Sequence, residues 1–304
     1  MEHSLETLKS CPSCGHDIFK NTLKCKDYTY SKDSFSLVEC GNCHLLFTNP
    51  RPNEGAIGKY YDNPEYVSHT DTKKGLLFFL YGVVKQFTLS QKRTSLEKLL
   101  SEKTVLDYGA GSGDFAVELV SNGWNISAYE PDLKARNRIA EKNSSIHLPE
   151  SITDINKESK SAITLWHVLE HVHRLNETIS EFRRILKADG TLVIAVPNHT
   201  SFDADYYKSE WAAYDVPRHL YHFNSETIET LMSAHGFKLK QIRPMWFDSY
   251  YVSLLSENNS GKAGIIKTVV SWLRAFIVGS LSNAKAISSI SRCSSITYVF
   301  QKAV

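Results

Sequence analysis

The 304-residue sequence nowhere reaches the roughly 18 uninterrupted apolar residues that a spanning helix needs. Its start, Met1-Glu-His-Ser-Leu-Glu6, lacks the basic residues and apolar run of a signal peptide, so the expected location is cytoplasmic. Charge of one sign is missing too. The 35 Lys and Arg are interspersed with 33 Asp and Glu, so composition gives no reason to expect a nucleic-acid partner. Repeats and low-complexity tracts are absent. Cysteines number six, and four of them fall into CxxC pairs. Without a secretory signal, that pairing points to a reducing compartment and a metal instead of disulfides. What is left is an ordinary globular composition, long enough for one large α/β domain and a small accessory module.

Residues 1–50 carry both CxxC pairs and short β-type runs, and Asn49-Pro-Arg-Pro-Asn-Glu-Gly55 breaks the chain as a turn-rich boundary. From about 56 to 100 the pattern is helical, with tyrosines at 60, 61 and 66. Beyond 104, strands and helices alternate, which predicts a parallel sheet covered on both faces. Strands are expected at 104–109, 124–130, 145–148, 162–168, 191–196, 237–243 and 294–301. Helices are expected at 113–122, 133–143, 177–188 (stopped by Gly190) and 225–235. The stretch between the last two strands is too long for a hairpin loop and reads as an inserted cap at about 246–292.

The first strand ends in Asp107 and turns through Gly109, Gly111 and Gly113 into a helix. Glycines there let the backbone approach a ligand closely and supply positive φ without a Cβ penalty. The spacing is G-x-G-x-G. A dinucleotide fingerprint needs its third glycine at position 114, which is Asp, and its charge would oppose a pyrophosphate. The Gly-Lys-Ser/Thr ending of a P-loop is missing. Asp107 suits instead a ligand carrying an ammonium and a sulfonium, and Glu130 ends the second strand where a carboxylate accepts from both ribose hydroxyls. The expected donor is S-adenosylmethionine; the competing reading is an ordinary strand–helix turn.

With these residues in place, the stretch from about 104 to 245 resembles the class I S-adenosylmethionine-dependent methyltransferases. The resemblance takes in the glycine motif, Tyr129-Glu-Pro-Asp132, Trp166-His-Val-Leu-Glu-His-Val172 and Arg184-Ile-Leu-Lys-Ala-Asp-Gly-Thr-Leu192. It implies a Rossmann-like, doubly wound seven-stranded sheet whose last strand is antiparallel, and it puts Pro131, Trp166 and His167 beside the cofactor.

Cys11-Pro-Ser-Cys14-Gly and Cys40-Gly-Asn-Cys43 are two knuckles whose four thiolates suit a tetrahedral structural Zn²⁺. A redox CxxC pair is the alternative, and Cys25 or His44 could exchange with a ligand. The expected layout is a zinc ribbon at 1–52, a helical linker or cap at 53–100 and the main domain at 101–304. A zinc ribbon before such a core looks like the nucleotide-sugar C-methyltransferases of deoxysugar pathways, whose additional C-terminal domain has no counterpart here. In that family the pair matching Glu170-His171 belongs to the active site, and a tyrosine matched by Tyr66 contributes. A second family tyrosine corresponds to Val168.

His167, Glu170 and His171 fall at i, i+3 and i+4 after the fourth strand, where open α/β sheets bind ligands. Three readings stay open: Glu170-His171 as general base, H-x-x-E-H as ligands for a divalent cation, or helix packing. On the same side, Arg218 suits bidentate contact with a phosphate or carboxylate of the substrate, His222 is a second substrate contact, and His219 is another candidate base. The alternative is a loop packed by Leu220, Tyr221 and Phe223. Lys92 reads either as a contact for the cofactor carboxylate or as a solvated helix lysine. The apolar stripe across 265–281 reads as core or cap, or as an interfacial helix touching a membrane or lipid-linked substrate.

The first functional reading is methyl transfer to a small-molecule acceptor, a sugar nucleotide or glycan precursor. The alternatives are a lipid-linked or quinone-like acceptor at a membrane surface, and a non-catalytic zinc-ribbon binding module.

Overall fold

The computed structural model of the chain describes residues 4–61, 76–259 and 265–303. The β-type runs before residue 52 form two small sheets. In one, β1 (Leu5–Glu6) pairs with β5 (Arg51–Pro52). In the other, β2 (Phe19–Lys26), β3 (Ser34–Cys40) and β4 (Leu46–Thr48) form an antiparallel meander. Its fourth strand, β10 (Tyr221–His222), comes from far along the chain and sets Tyr221 opposite Phe47. The expected boundary at residue 52 is therefore stitched across. Thr48 Oγ1 donates to the His219 carbonyl at 2.8 Å, and Arg51 Nη1 donates to the Tyr221 hydroxyl at 3.0 Å. Cys11, Cys40, Leu45 and Phe47 share one apolar core with Leu220, Tyr221 and Phe223.

The alternating pattern beyond 104 forms the main sheet from β6 (Thr104–Tyr108), β7 (Asn125–Tyr129), β8 (Lys160–Trp166), β9 (Leu186–Pro197), β11 (Phe237–Pro244) and β12 (Ser295–Lys302). The order is β7-β6-β8-β9-β12-β11. The first four strands are parallel, and β12 runs antiparallel to both of its neighbours. Side chains alternate between two cores, Leu106, Ile163 and Leu192 on one face and Val105, Ala162 and Val193 on the other. The second face is covered by α1 (Leu76–Leu99), α2 (Asp114–Ser121) and α3 (Leu133–Lys142) through Leu96, Leu119 and Ile139. The first is covered by α4 (Leu175–Ile185) and, past the short α5 (Phe202–Tyr207), by α6 (Ser225–Ala234), through Ile179, Phe182, Ile228 and Leu231. This is the expected doubly wound α/β architecture with an antiparallel last strand.

Two details depart from expectation. The strand expected at 145–148 is reduced to one parallel bridge between Ser127 and His147, so the described sheet has six strands, not seven. The cause is local. Asn143 accepts from the backbone and hydroxyl of Ser145 and from the backbone of Ile146, a turn that leaves His147 alone to pair. The helix expected at 177–188 ends at Ile185, and the chain passes straight into β9. Gly190 is not a helix stop. It lies where β9 bulges against β8, so close to Leu186 that a Cβ would sit 2.9 Å from that side chain.

α7 (Asp248–Asn259) and α8 (Ile265–Ser288) form the cap between β11 and β12, at the expected place. Buried Asp203 anchors it, accepting from Ser282 Oγ of α8 at 2.8 Å and from Trp211 Nε1 and Ser294 Oγ at 2.7 Å.

Candidate active site and cysteine cluster

The glycine loop leaves β6 at its carboxyl end with Gly109, Gly111 and Gly113 all in the left-handed region. Gly109 and Gly113 are fixed by packing, because a Cβ would meet Val168 at 2.5 Å and Ile139 at 2.6 Å. Gly111 has nothing within 4 Å and faces open space. Glu130 holds the loop from β7, accepting from the Gly111 amide at 2.7 Å and the Asp132 amide at 3.0 Å. Asp107 accepts from Thr164 Oγ1 at 2.7 Å, and burial pushes its carboxyl up to about 6. Beside it Lys92 reaches down from α1, its Nζ 4.1 Å from the centre of the Trp166 ring. Burial lowers the lysine, with the charges of Asp107 and Asp248 working in the other direction.

At the end of β8 the backbone twists into a left-handed residue at His167, φ 57°, a conformation a non-glycine side chain adopts only where its surroundings hold it. His167 Nε2 lies 3.0 Å from Asp248 Oδ2 and Nδ1 lies 3.5 Å from Glu170 Oε1. Burial opposes the charged ring, but these two carboxylates outweigh it and push His167 up to about 10. The segment then makes a single 3-10 turn, Leu169–His171, instead of a helix.

Glu170 is buried, and neither carboxylate oxygen has a hydrogen-bond partner. Burial would raise its carboxyl; His167, with the neighbouring histidines, holds it below the ordinary range. His171 Nδ1 lies 3.0 Å from the Arg218 carbonyl and 2.9 Å from the Tyr61 hydroxyl. Burial and the His219 charge lower it to about 4, so the ring is neutral at physiological pH, with Nδ1–H donating and Nε2 left to accept. His219 packs edge-on to it with ring centres 4.6 Å apart, and its Nδ1 is 2.8 Å from the Ala213 carbonyl. Glu170, His171 and His219 offer ligand atoms within 4.8 Å of one another.

In the N-terminal meander, the Sγ atoms of Cys11, Cys14, Cys40 and Cys43 also lie within 4.8 Å of one another. Both knuckles are built alike. The Gly15 amide donates to the Cys11 carbonyl at 2.9 Å and the His44 amide to the Cys40 carbonyl at 3.1 Å, each turn ending in a left-handed residue. Neither spare ligand joins them. His44 turns outward to Glu39, and Cys25 packs in a separate core beside Leu37 and Tyr60.

A sequence profile described as a methyltransferase domain matches residues 86–242, just over half of the chain. The chain belongs to this methyltransferase family. No curated protein matches the sequence. Among solved structures, one similar fold is a protein from Galdieria sulphuraria assigned as a sarcosine dimethylglycine methyltransferase. It is 15% identical with a TM-score of 0.51, over 73% of this chain and 86% of that one. Another is a SAM-dependent methyltransferase from Archaeoglobus fulgidus, 18% identical with a TM-score of 0.48, over 74% and 99%. The protein is an S-adenosylmethionine-dependent methyltransferase, and the glycine loop with Asp107 and Glu130 lies inside the matched segment.

The methyltransferase brings most of the expected residues together. Asp107, Gly109, Gly111, Gly113 and Glu130 gather at the carboxyl ends of β6 and β7, and Trp166, His167, Glu170 and His171 at that of the neighbouring β8, with His219 against His171. Pro131 follows Glu130 in the turn before α3. Arg218 is a correction. Its guanidinium is buried, bonded to both Asp215 oxygens, the Tyr60 carbonyl at 3.1 Å and Thr29 Oγ1 at 2.9 Å, and it clamps the N-terminal module to the loop rather than facing a ligand. His222 is likewise interior, between Thr48 and Tyr214. Tyr66 lies outside the described residues; the tyrosine that meets His171 is Tyr61. Asp248 carries no sequence signal for its role, because no spacing ties the first residue of a cap helix to a histidine at the end of β8.

Proposed function

We propose that the chain methylates a small-molecule acceptor, a sugar nucleotide or glycan precursor, with Glu170 and His171 handling the acceptor proton. The observation that carries this reading is the buried Glu170 carboxylate, which has only a 3.5 Å ion pair to His167 and accepts no hydrogen bond, beside a neutral imidazole. Such a carboxylate is costly to maintain unless it serves an incoming group. Asp107, Gly109, Gly111, Gly113, Glu130, Pro131, Trp166 and His167 form the cofactor side. When bound, S-adenosylmethionine supplies an electrophilic methyl on a sulfonium, so the protein mainly aligns the acceptor and excludes water.

In this reading Glu130 keeps lone pairs for the ribose hydroxyls while its amide bonds hold the loop. His171 Nε2 accepts the acceptor proton, and the adjacent Glu170 carboxylate stabilises the imidazolium that forms. The left-handed His167, locked by Asp248, fixes where Glu170 stands. Cys11, Cys14, Cys40 and Cys43 suit a structural Zn²⁺ in number, donor type and closeness.

Lys92 lies over Trp166 with the charges of Asp107 and Asp248 acting on it, and we assign it the cofactor carboxylate. Lys92→Met is expected to weaken S-adenosylhomocysteine binding by about tenfold or more, the worth of a charge-assisted hydrogen bond. Calorimetric titration reads this directly, and unchanged affinity returns Lys92 to a packing role against Trp166. The acceptor class is tested by methyl transfer from labelled cofactor to a panel of nucleotide sugars, lipid-linked glycans and quinones. Labelling of the nucleotide sugars is expected. Labelling of the lipid-linked or quinone compounds alone would replace this acceptor with the membrane one.

A further inference from the structure

Helix α8 is packed the wrong way round for a core helix. Its inward face is made mostly of small residues, Ser271, Ala275, Ser282 and Ala286, joined by Val278, all buried. Gly279 sits so close to α7 that a Cβ would lie 2.7 Å from Tyr250. Its outward face carries the large apolar side chains, with Val269 63% exposed, Leu273 59% and Phe276 62%, and Trp272, Ile277 and Leu281 nearly as open. These recur at helical spacing and make a continuous stripe. The stripe is extended by Tyr250, stacked on Phe276 with ring centres 5.6 Å apart. Trp246 and Phe247 at the start of α7, both exposed, continue the apolar surface to Asp248, which bonds His167 in the cleft.

An exposed apolar surface of this size marks an interaction site. Charge decides its partner. α8 carries Lys267, Arg274 and Lys285 and no Asp or Glu, in a chain whose charges nearly balance; Arg274 lies 3.7 Å from Glu257 of α7, and beyond the helix Arg292 and Lys302 pair with Asp205 and Glu158. Among the described residues no helix is long and apolar enough to cross a membrane. Aromatic and aliphatic side chains on one face, in a segment with cations and no anions, are what an interfacial helix needs to lie flat at a lipid headgroup layer.

We infer that the outer face of α8 docks the enzyme on an anionic lipid bilayer. The inference is independent of which acceptor is methylated and of whether Glu170 and His171 carry the proton.

The test is vesicle flotation of the full chain with phosphatidylcholine, alone or mixed with phosphatidylglycerol, at low and high salt. Sedimentation velocity is run on the same samples without lipid. The wild type is expected to float with the mixed vesicles, less so in high salt. The exposed-face variant Leu273→Glu/Phe276→Glu is expected to lose that binding by about tenfold or more, with cofactor affinity and circular dichroism unchanged. Failure of the wild type to float with anionic vesicles overturns the proposal. So does equal binding to neutral vesicles, which removes the role of charge. A wild-type dimer that the double substitution dissociates also overturns it and assigns the face to a second copy of this chain.

Discussion

Replacing Glu170 by Gln is expected to lower turnover by about 10²–10⁴-fold, the range general acid–base groups contribute, while S-adenosylhomocysteine binds as tightly as to the wild type. The two readouts separate because the cofactor-side group that Glu170 meets, His167, is also held by Asp248 at 3.0 Å and keeps that tether in the variant. Gln keeps the shape and removes the charge that would stabilise a protonated His171. His171→Ala is expected to lose turnover similarly. The pH profile gives an independent check with a defined sign. His171 works in its neutral form, and burial with the His219 charge brings it down to about 4. The acid limb of kcat/KM should therefore fall near or below pH 5, well under the value near 6.5 of a solvated histidine. His167, pushed up to about 10, stays charged across the neutral range, and its loss belongs to the alkaline limb. Unchanged turnover in Glu170→Gln would reduce the pair to packing. Loss of turnover in the wild type on chelation of a weakly held divalent ion, with zinc retained by the four cysteines, would favour the cation reading of Glu170, His171 and His219.

The parts of this architecture legible in the sequence are those whose causes are local. The glycine loop could be read because Gly109 and Gly113 must lack a Cβ against Val168 and Ile139, and because the failed glycine at Asp114 rules out a dinucleotide turn. The CxxC knuckles could be read because a thiolate turn needs its own short spacing. What escaped depends on contacts distant in sequence. Arg218 looks like a substrate anchor until Asp27, Thr29 and Tyr60 from the N-terminal module close around it. Asp248 looks like a cap residue until β11 returns it over His167. The missing seventh strand turned on one residue, Asn143, whose side chain and carbonyl take the amides of Ser145 and Ile146 that a strand would have used. Burial also sorted polar residues in a way no pattern could. Asp203, wholly inside and hydrogen-bonded by three donors, is structural, whereas Glu170, equally buried with only a 3.5 Å ion pair to His167, is the candidate for chemistry.

Cys40→Ser is expected to remove the metal, about one zinc per chain by elemental analysis, and to destabilise more than the local sheet. Structural zinc contributes on the order of 10 kcal/mol to the folding of small zinc modules, comparable with the whole stability of a typical domain. The meander β2–β4 buries Phe35, Leu37, Val38, Leu46 and Phe47, but its two CxxC turns have only the shared metal to tie them together. The damage should spread because the module is not separate. Cys11, Cys40, Leu45 and Phe47 pack in the same core as Leu220, Tyr221 and Phe223, and Thr48 holds the His219 backbone. Losing the module frees Arg218 from Thr29 and Tyr60, and with it the carbonyl that orients His171. The variant should therefore melt many degrees lower and lose turnover, even though the glycine loop on β6 lies on another part of the sheet. Cys25→Ser is the control. Cys25 is as buried as Cys40 but belongs to the separate core around Tyr60, so its loss should cost roughly 1–2 kcal/mol and leave the zinc in place. If Cys40→Ser keeps its zinc, or loses it with an unchanged melting temperature, the four-cysteine cluster does not hold this fold together. If zinc leaves and the module melts while turnover stays, the link from Thr48 and Arg218 to His171 is not what positions the base.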